Sequence, residues 1–391
     1  MDLKKEIKLS DLVRLPKKKS KSAGVARKPA SNSRKRSPKK QEIIGVKIGS
    51  SQLAAARVMN NGGTPRLDQL ARTPLDPGIV VAGEVRDVEA LADALNIFFT
   101  ENNLPRRGIR LGIGTNRIGV RSLDVEGIDD ERQLGNAVRF RAHEALSIPM
   151  DEAVLDYHVT RETVNDSGGI DRRVLLAAAY REPIDNYVRA FQAANLELLG
   201  IDIEAFALLR AVAPMRSAEQ TGEPVAVVAL ALGHDRSTLA ISDGIVCDFM
   251  RVLEWGGGKI DAAISRELGV TIPEANELKR QVSLEPDAAE SDDLRIARAK
   301  KAVTRELEAL GRELVASLQF YQSEPGSLSI SEILVTGGTS RLPGLADALE
   351  RMIRVRVRVA DPVSLVHPGQ GVADRDDLAS LAIAIGLGVE Q

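Results

Sequence analysis

The sequence is poor in several residue types, and each scarcity excludes a class of protein. Cys247 is the single cysteine in 391 residues, so no internal disulfide can form, as expected in a reducing compartment. None of the four histidines is at metal-ligand spacing with another ligand type, and a His/Cys metal site is not predicted. Aromatic residues make up 3% of the chain, too few for a base-stacking nucleic-acid platform. The longest apolar stretches, 225–232 and 378–389, fall well short of the roughly 20 residues that cross a bilayer.

Charge is plentiful but unevenly distributed, although the formal net charge is only -2. Residues 1–40 contain 15 Lys/Arg and 3 Asp/Glu, whereas the rest of the chain contains 38 Lys/Arg and 52 Asp/Glu. Residues 16–41 are rich in Lys, Arg, Ser and Pro and nearly lack large apolar side chains, which predicts disorder. We therefore expect a basic, disordered leader over residues 1–41. The acidic body behind it is long enough for two domains or more.

Two kinds of polyanion suit a leader of this charge. An anionic membrane surface is the simpler ligand, since each basic residue near it contributes about 1 kcal/mol. Leu3, Ile7, Leu12 and Leu15 fall loosely at helical spacing, which is equally typical of a short amphipathic helix and of a frayed terminus. A nucleic-acid tether is the alternative, but no recognition motif accompanies the charges, so no specific nucleic acid is expected. Vesicle flotation with and without residues 1–41 separates the two, because retention on DNA alone would favour the tether.

The body of the chain, for which ordered structure is predicted from Ile43 onward, contains two halves with similar patterns of predicted elements. Each half opens with a strand, a glycine turn and a second strand, and continues with meander strands and helices. This repetition predicts a duplicated α/β architecture with a cleft between the halves. Strands are predicted at 43–57 (as a hairpin), 110–114, 117–125, 154–162, 172–179, 198–203, 225–232, 237–242, 245–253, 333–335 and 355–359, and helices at 88–102, 129–145, 184–194, 260–268, 273–281, 293–321, 343–353 and 377–387.

Three glycine turns are candidates for binding phosphate. Backbone N–H groups in such turns can bond anionic oxygens, because no side chain blocks their approach. Each turn alone is typical of an ordinary hairpin or strand–helix connection, but their order and spacing together favour a nucleotide site. The candidate residues are Gly49, Ser50 and Ser51 in the first turn, Gly233 in the second, and Gly337 and Gly338 in the third.

Five segments of the body, taken in order, carry a further signal: IIGVKIGSSQLAAARV (43–58), NAVRFRAHEALSIPMDEAVLDYHV (136–159), ELVASLQFYQSEP (313–325), ILVTGGTSRLPGLADALE (333–350) and LAIAIGLGVE (381–390). Together they resemble the actin-like ATPase superfamily and, more closely, the PilM-type type IV pilus assembly proteins, which are related to the cell-division protein FtsA. The resemblance covers about residues 42–390. It implies an α/β, actin-like (duplicated ribonuclease-H-like) two-domain fold with a nucleotide cleft and an inserted 1C-type subdomain.

The resemblance also implies a partner and a place. PilM-type proteins lie on the cytoplasmic face of the inner membrane, as scaffolds of the pilus motor complex. They bind the N-terminal cytoplasmic peptide of a PilN-like inner-membrane protein in a groove between subdomains 1A and 1C. The implied boundaries are 42–115 and 183–215 for subdomain 1A, 116–182 for 1C, 216–258 and 322–391 for 2A, and 259–321 for 2B with a long connecting helix.

The phosphate loops depart from the family pattern at two positions. Each loop usually begins Asp-x-Gly, with carboxylates that organise Mg²⁺, but here those positions hold Lys47 and Ala231. Asp235 and Asp248 lie nearby in sequence and are the candidate Mg²⁺ ligands. Lys47 is equally consistent with a cation that neutralises a phosphate and with a side chain that faces another layer.

The adenosine motif also departs from the pattern. The family's Ala-Glu-x-x-Lys helix matches residues 275–279, where Lys279 is kept and Asn276 replaces the acid. Asparagine can still bond a hydroxyl, so we expect ATP binding to be retained. Because the two loop aspartates are missing, we expect hydrolysis to be weak or lost, and we assign no catalytic residue. Two alternatives stay open: an active Mg-ATPase of the same fold that polymerises or cycles, and a cleft closed by packing.

Overall fold

The computed structural model of the chain describes residues 41–128, 130–146, 148–165, 169–213, 224–285, 293–372 and 375–390. The predicted leader and its amphipathic helix fall on residues 1–40, which are outside the described residues. Asp129, the first residue of the helix predicted at 129–145, is also outside them. Gln41, assigned to the leader from the sequence, is the first residue of a strand.

The described strands form three sheets and one short ribbon. The strands are β1 (Gln41–Ile48), β2 (Gln52–Asn60), β3 (Arg66–Pro74), β4 (Val80–Val81), β5 (Glu84–Val85), β6 (Ile109–Ile113), β7 (Ile118–Val125), β8 (Ala153–Val164), β9 (Ile170–Tyr180), β10 (Leu198–Ile203), β11 (Ala226–Leu232), β12 (Ser237–Ser242), β13 (Cys247–Leu253), β14 (Ile330–Thr336), β15 (Arg356–Val359) and β16 (His367–Pro368). The helices are α1 (Val88–Glu101), α2 (Glu131–Ala145), α3 (Arg181–Ala193), α4 (Glu204–Val212), α5 (Gly257–Leu268), α6 (Ile272–Gln281), α7 (Leu294–Ser323), α8 (Leu345–Ile353) and α9 (Leu378–Gly388).

The two larger sheets repeat one topology. The first has the order β10-β6-β1-β2-β3-β16, and the second has the order β13-β12-β11-β14-β15. In both, an antiparallel three-stranded meander continues into parallel strands beside its first strand. The central strands are buried on both faces, which explains their continuous apolar runs. The duplicated α/β fold predicted from the sequence is confirmed.

The third sheet, ordered β7-β9-β8, is inserted between β6 and α3 along the chain. Helix α2 covers one face, where Leu134, Val138 and Ala142 pack against Val174 and Leu176 of β9. The other face packs against α4 and the second large sheet through a separate apolar cluster. The insertion therefore contacts both halves of the molecule.

Helices α4 and α9 lie between the two large sheets and pack against each other. Their contact is close, because a Cβ added at Gly386 would meet the carbonyl oxygen of Ala207 at 1.8 Å. The last carbonyls of α9 accept hydrogen bonds from cationic side chains, as helix ends require. Arg210 Nε donates to Gly386 O at 2.9 Å, and Arg110 Nη1 donates to Leu387 O at 3.1 Å.

Five of the observed elements were not predicted from the sequence: the two-residue strands β4, β5 and β16, strand β3 and helix α4. Strand β3 and helix α4 were not predicted, because neither shows a clear period: the burial of β3 does not alternate, and α4 is buried on nearly every side. The strand predicted at 355–359 is observed as β15, at the margin of its sheet. Trp255 is 1% exposed and donates Nε1–H to Glu306 O, so it is a packing residue of the core. Among the described residues, no helix is both long and apolar enough to span a membrane.

Candidate functional site

A cleft of about 710 Å³ separates the two halves, within the range typical of small-molecule sites. All three glycine turns and the N-terminal end of α4 line it, as does α6. The structure therefore brings most of the predicted site residues together, and it leaves Asp248 outside the lining. The predicted residues on the cleft wall are Gly49, Ser50, Ser51, Gly233, Asp235, Asn276, Lys279, Gly337 and Gly338.

The first two turns are built alike, one in each half. Gly49 N–H donates to Gln52 O at 2.9 Å, and Gly233 N–H donates to Arg236 O at 3.0 Å. Each bond closes a tight hairpin whose remaining polar groups border the cleft. The Ser50 hydroxyl is buried and has no hydrogen-bond partner among the described residues. An orphaned buried hydroxyl is costly in a closed protein, and a bound ligand would satisfy it.

The two successive glycines of the third turn have different surroundings. Gly337 has φ +94°, and a Cβ on it would lie 2.3 Å from Leu232 O, so both its conformation and its surroundings require glycine. Gly338 is different, because a Cβ on it would meet nothing within 4 Å. Thr339 Oγ1 donates to Gly233 O at 3.3 Å and joins the third turn to the second. The open space beside Gly338 belongs to the cleft.

The two α6 residues predicted for the adenosine side share one buried carboxylate. Lys279 Nζ lies 2.6 Å from Asp261 Oδ1, and Asn276 Nδ2 lies 3.3 Å from the same oxygen. Asp261 is 1% exposed and lies on α5. Sequence reasoning missed it, although the i, i+3 spacing of its partners on α6 indicates a common neighbour. Asp261 therefore fixes both side chains at the cleft wall.

Lys47 faces the cleft and not another layer of the fold. Its Nζ lies 3.3 Å from Glu204 Oε2, and the two side chains are 20% and 4% exposed. Thr238 Oγ1 lies 3.4 Å from the same carboxylate oxygen. Glu204 is the first residue of α4, an element that was not predicted, so no sequence signal pointed to this ion pair.

Arg236 reaches from the second turn to the first half of the molecule. A Cβ on Gly83, which has φ +73°, would lie 1.7 Å from Arg236 Nη1, so the guanidinium rests directly on that glycine. Arg236 Nε is 3.7 Å from Asp235 Oδ1. Its Nη1 is buried without a hydrogen-bond partner in the described part of the chain. This buried donor packs against Gly83, which is not among the residues of the cleft wall.

The residues that line the cleft carry more positive than negative charge. Six are cationic and three are carboxylates, which leaves an excess of three positive charges. Carboxylates just outside the lining offset this excess, since Arg72 pairs with Asp377, Lys279 with Asp261 and Arg280 with Glu277. The cationic residues are Lys47, Arg72, Arg236, Lys279, Arg280 and Arg341, and the carboxylates are Glu204, Asp235 and Asp376.

Asp248 lies on β13, away from the cleft lining. Burial raises the pKa of its carboxyl to about 6, the neighbouring Asp243 adds to the rise, and Arg173 of the inserted sheet opposes it. This environment disfavours the charged form. The candidate magnesium ligand is thus a carboxyl of the contact between β13 and the insertion.

The raised pKa makes Asp248 a source of pH-dependent instability. Because the folded protein binds this proton more tightly than the unfolded chain, its stability falls as pH rises from about 4 to about 6. We expect Asp248→Asn to raise the free energy of unfolding by about 1 kcal/mol at neutral pH, discounted for partial exposure. Urea unfolding across this pH range measures it. Asp185→Asn, at an exposed position on α3, is the control, and equal pH profiles for all three proteins would contradict the assignment.

The paired sheets and the cleft between them define an actin-like ATPase fold. The chain belongs to the family of type IV pilus assembly proteins PilM, whose family model matches residues 45–391. It is similar to a chain of a solved PilM–PilN type IV pilus biogenesis complex, with a TM-score of 0.74 and 26% identity over 89% of this chain and 97% of that one.

Two further solved structures share the fold at lower identity. MreB 5 of Spiroplasma citri bound to AMPPNP matches with a TM-score of 0.51 and 11% identity over 89% of this chain and 95% of that one. The ethanolamine utilization protein EutJ from Carboxydothermus hydrogenoformans matches with a TM-score of 0.50 and 12% identity, covering 90% and 91% of the two chains. These likenesses establish the architecture.

Proposed function

We propose that this chain is an actin-like scaffold of type IV pilus assembly that binds the N-terminal cytoplasmic peptide of a PilN-type inner-membrane protein. The similarity to the PilM–PilN complex carries this proposal, since it spans 97% of that chain at 26% identity. The scaffold would work on the cytoplasmic face of the inner membrane, as part of the pilus motor complex. Its basic leader, residues 1–40, would lie against the anionic lipid surface.

The proposed peptide groove lies where the inserted sheet joins the first large sheet. At this junction, which separates the predicted subdomains 1A and 1C, the Arg117 guanidinium lies 4.1 Å from the centroid of the Tyr180 ring. Arg117 Nη1 is also 3.2 Å from Glu84 Oε1 on β5. Strand β8 is an outer strand of the inserted sheet. An outer strand offers backbone groups to an extended peptide, which is a common mode of peptide recognition.

A binding titration tests the scaffold proposal. The probe is a synthetic peptide that copies the cytoplasmic N-terminus of the PilN-type protein of the same pilus system. We expect saturable binding to the full chain and a loss of about tenfold (~1.4 kcal/mol) in Arg117→Ala, which frees the junction from Glu84 and Tyr180. Arg107→Ala is the matched control, because Arg107 is 87% exposed and pairs with an exposed Glu197. Failure of the peptide to bind at about millimolar concentration would refute the proposal.

The cleft of the scaffold would hold ATP. The orphaned Ser50 hydroxyl and the Lys47 ammonium on the cleft wall support a phosphate site at the first two turns. The space beside Gly338, together with Asn276 and Lys279, supports a nucleoside site at the other end. A ligand held by turns of both halves favours the closed cleft over the open one, so the nucleotide would set the angle between them. Hydrolysis would be weak or absent, and phosphate release in the presence of ATP and Mg²⁺ measures it.

A further inference from the structure

The residues of the cleft do not fit a divalent cation. Magnesium beside a nucleotide is held by one or two protein carboxylates together with phosphate and water oxygens, in near-octahedral geometry. Among the described residues, no group of three or more His, Cys, Asp or Glu side chains could hold a metal ion by itself, so a carboxylate of the wall would have to be free to face the ion. Each carboxylate on the wall already faces a cation: Glu204 faces Lys47, Asp235 faces Arg236, and Asp376 faces Arg341. An ammonium group also stands where the family places its first aspartate, and it would repel Mg²⁺.

We propose that the cleft binds the polyphosphate of a nucleotide without a divalent metal, and that the Lys47 ammonium supplies the positive charge in the metal's place. This inference rests on the proposed nucleotide site and assigns its charge chemistry. Lys47 Nζ is on the cleft wall, and an ammonium group has three donors. Its contact with Glu204 Oε2 therefore leaves donors for phosphate oxygens.

Glu204 explains why a lysine is needed at this position. Its carboxylate is 4% exposed and faces the cleft, where an unpaired negative charge would repel a phosphate. Lys47 neutralises that charge and holds its own ammonium in a fixed place. Charge-assisted bonds from such a positioned cation are stronger than bonds between neutral groups. The ion pair thus removes the repulsion that the Glu204 carboxylate would otherwise exert on a bound polyanion.

Every cation that lines the cleft has a carboxylate neighbour. Besides the three pairs above, Arg72 Nε lies 3.6 Å from Asp377 Oδ2, Lys279 Nζ lies 2.6 Å from Asp261 Oδ1, and Arg280 Nη1 lies 3.0 Å from Glu277 Oε1. A nucleotide triphosphate without metal carries about four negative charges, so its phosphates must compete with these carboxylates for the cations. Lys47 can take part in both contacts, because one bond to Glu204 leaves its ammonium further donors on the cleft wall.

Calorimetric titration of the full chain with ATP, in excess Mg²⁺ and in EDTA, tests the proposal. We expect the two dissociation constants of the wild type to agree within about threefold. Lys47→Gln should weaken binding in EDTA by about tenfold or more, because it leaves the Glu204 carboxylate unpaired. Lys47→Asp should convert the site, so that its binding becomes at least about tenfold tighter in Mg²⁺ than in EDTA. Thermal unfolding of each variant verifies that the chain is folded.

Arg280→Gln is the control for loss of charge alone, because Arg280 lies at the cleft wall with its side chain 67% exposed. It should weaken binding less than Lys47→Gln does. If Mg²⁺ tightens wild-type binding about tenfold or more, the metal-free site is overturned while the nucleotide site stands. If ATP binds in neither condition, both are overturned. Equal losses in Arg280→Gln and Lys47→Gln would show that Lys47 acts only through overall charge, which also contradicts the proposal.

Discussion

Replacement of Gly386 by alanine is expected to lower the free energy of unfolding by about 2–4 kcal/mol, one of the largest effects available from a single methyl group in this protein. The added Cβ would lie 1.8 Å from Ala207 O and 2.7 Å from Ala207 C, which are backbone atoms of α4 and cannot rotate away. Alanine favours a helix over glycine by about 1 kcal/mol, but relief of this clash requires α4 and α9 to separate. Chemical denaturation measures the change.

Gly311→Ala is the matched control, because Gly311 is also a buried helical glycine, on α7. Its added Cβ would meet only Met352 side-chain atoms, the nearest at 3.4 Å. The gain in helix propensity should then leave stability unchanged or raise it by up to about 1 kcal/mol. Similar denaturation midpoints for the two variants would show that the contact between α4 and α9 is not tight.

Replacement of Gly338 by leucine should weaken nucleotide binding strongly and leave the fold intact. The position is on the cleft wall, and a Cβ there meets nothing within 4 Å, so a larger side chain extends into empty space without disturbing the core. We expect ATP affinity to fall about tenfold or more, equivalent to at least ~1.4 kcal/mol. The free energy of unfolding should change by less than about 0.5 kcal/mol. Calorimetric titration and urea unfolding give the two quantities.

Gly63→Leu separates the effect of blocking the cleft from the effect of adding an apolar side chain. Gly63 is exposed, is not on the cleft wall, and likewise has nothing within 4 Å of an added Cβ. That variant should bind ATP as the wild type does. Unchanged ATP affinity in Gly338→Leu would place the nucleotide elsewhere, or show that none binds in the cleft.

Local sequence chemistry was sufficient for most of the elements. Strand β12 was predicted with its observed bounds, and helix α1 within one residue at its C-terminal end, because β-branched runs, caps and glycine turns act over a few residues. Helix α4 escaped prediction because it follows β10 directly, without a side-chain cap, and is buried almost all round. Such a segment has no polar face from which a helical period can be recognised.

In the cleft, too, the features set by local sequence could be predicted and those set by the tertiary fold could not. The glycine turns could be predicted because each depends on its own backbone, as the positive φ of Gly337 shows. The ion pairs of Lys47 with Glu204 and of Lys279 with Asp261 could not, since each joins elements that only the tertiary fold brings together. Asp248 was a candidate because it is close in sequence to the second turn, but that closeness does not place it on the cleft wall.

The position of α9 has a consequence for the order in which the chain can fold during synthesis. Asn60 Nδ2, at the end of β2, donates to Gly388 O across 328 positions of sequence, and β3 pairs with β16. The first half therefore leaves the ribosome long before the segments that complete its sheet and cover its face. Until then its apolar strands remain uncovered, which is a state prone to aggregation and a substrate for chaperones. Ribosome-bound nascent chains that end before α9 are consequently expected to be protease-sensitive in both halves.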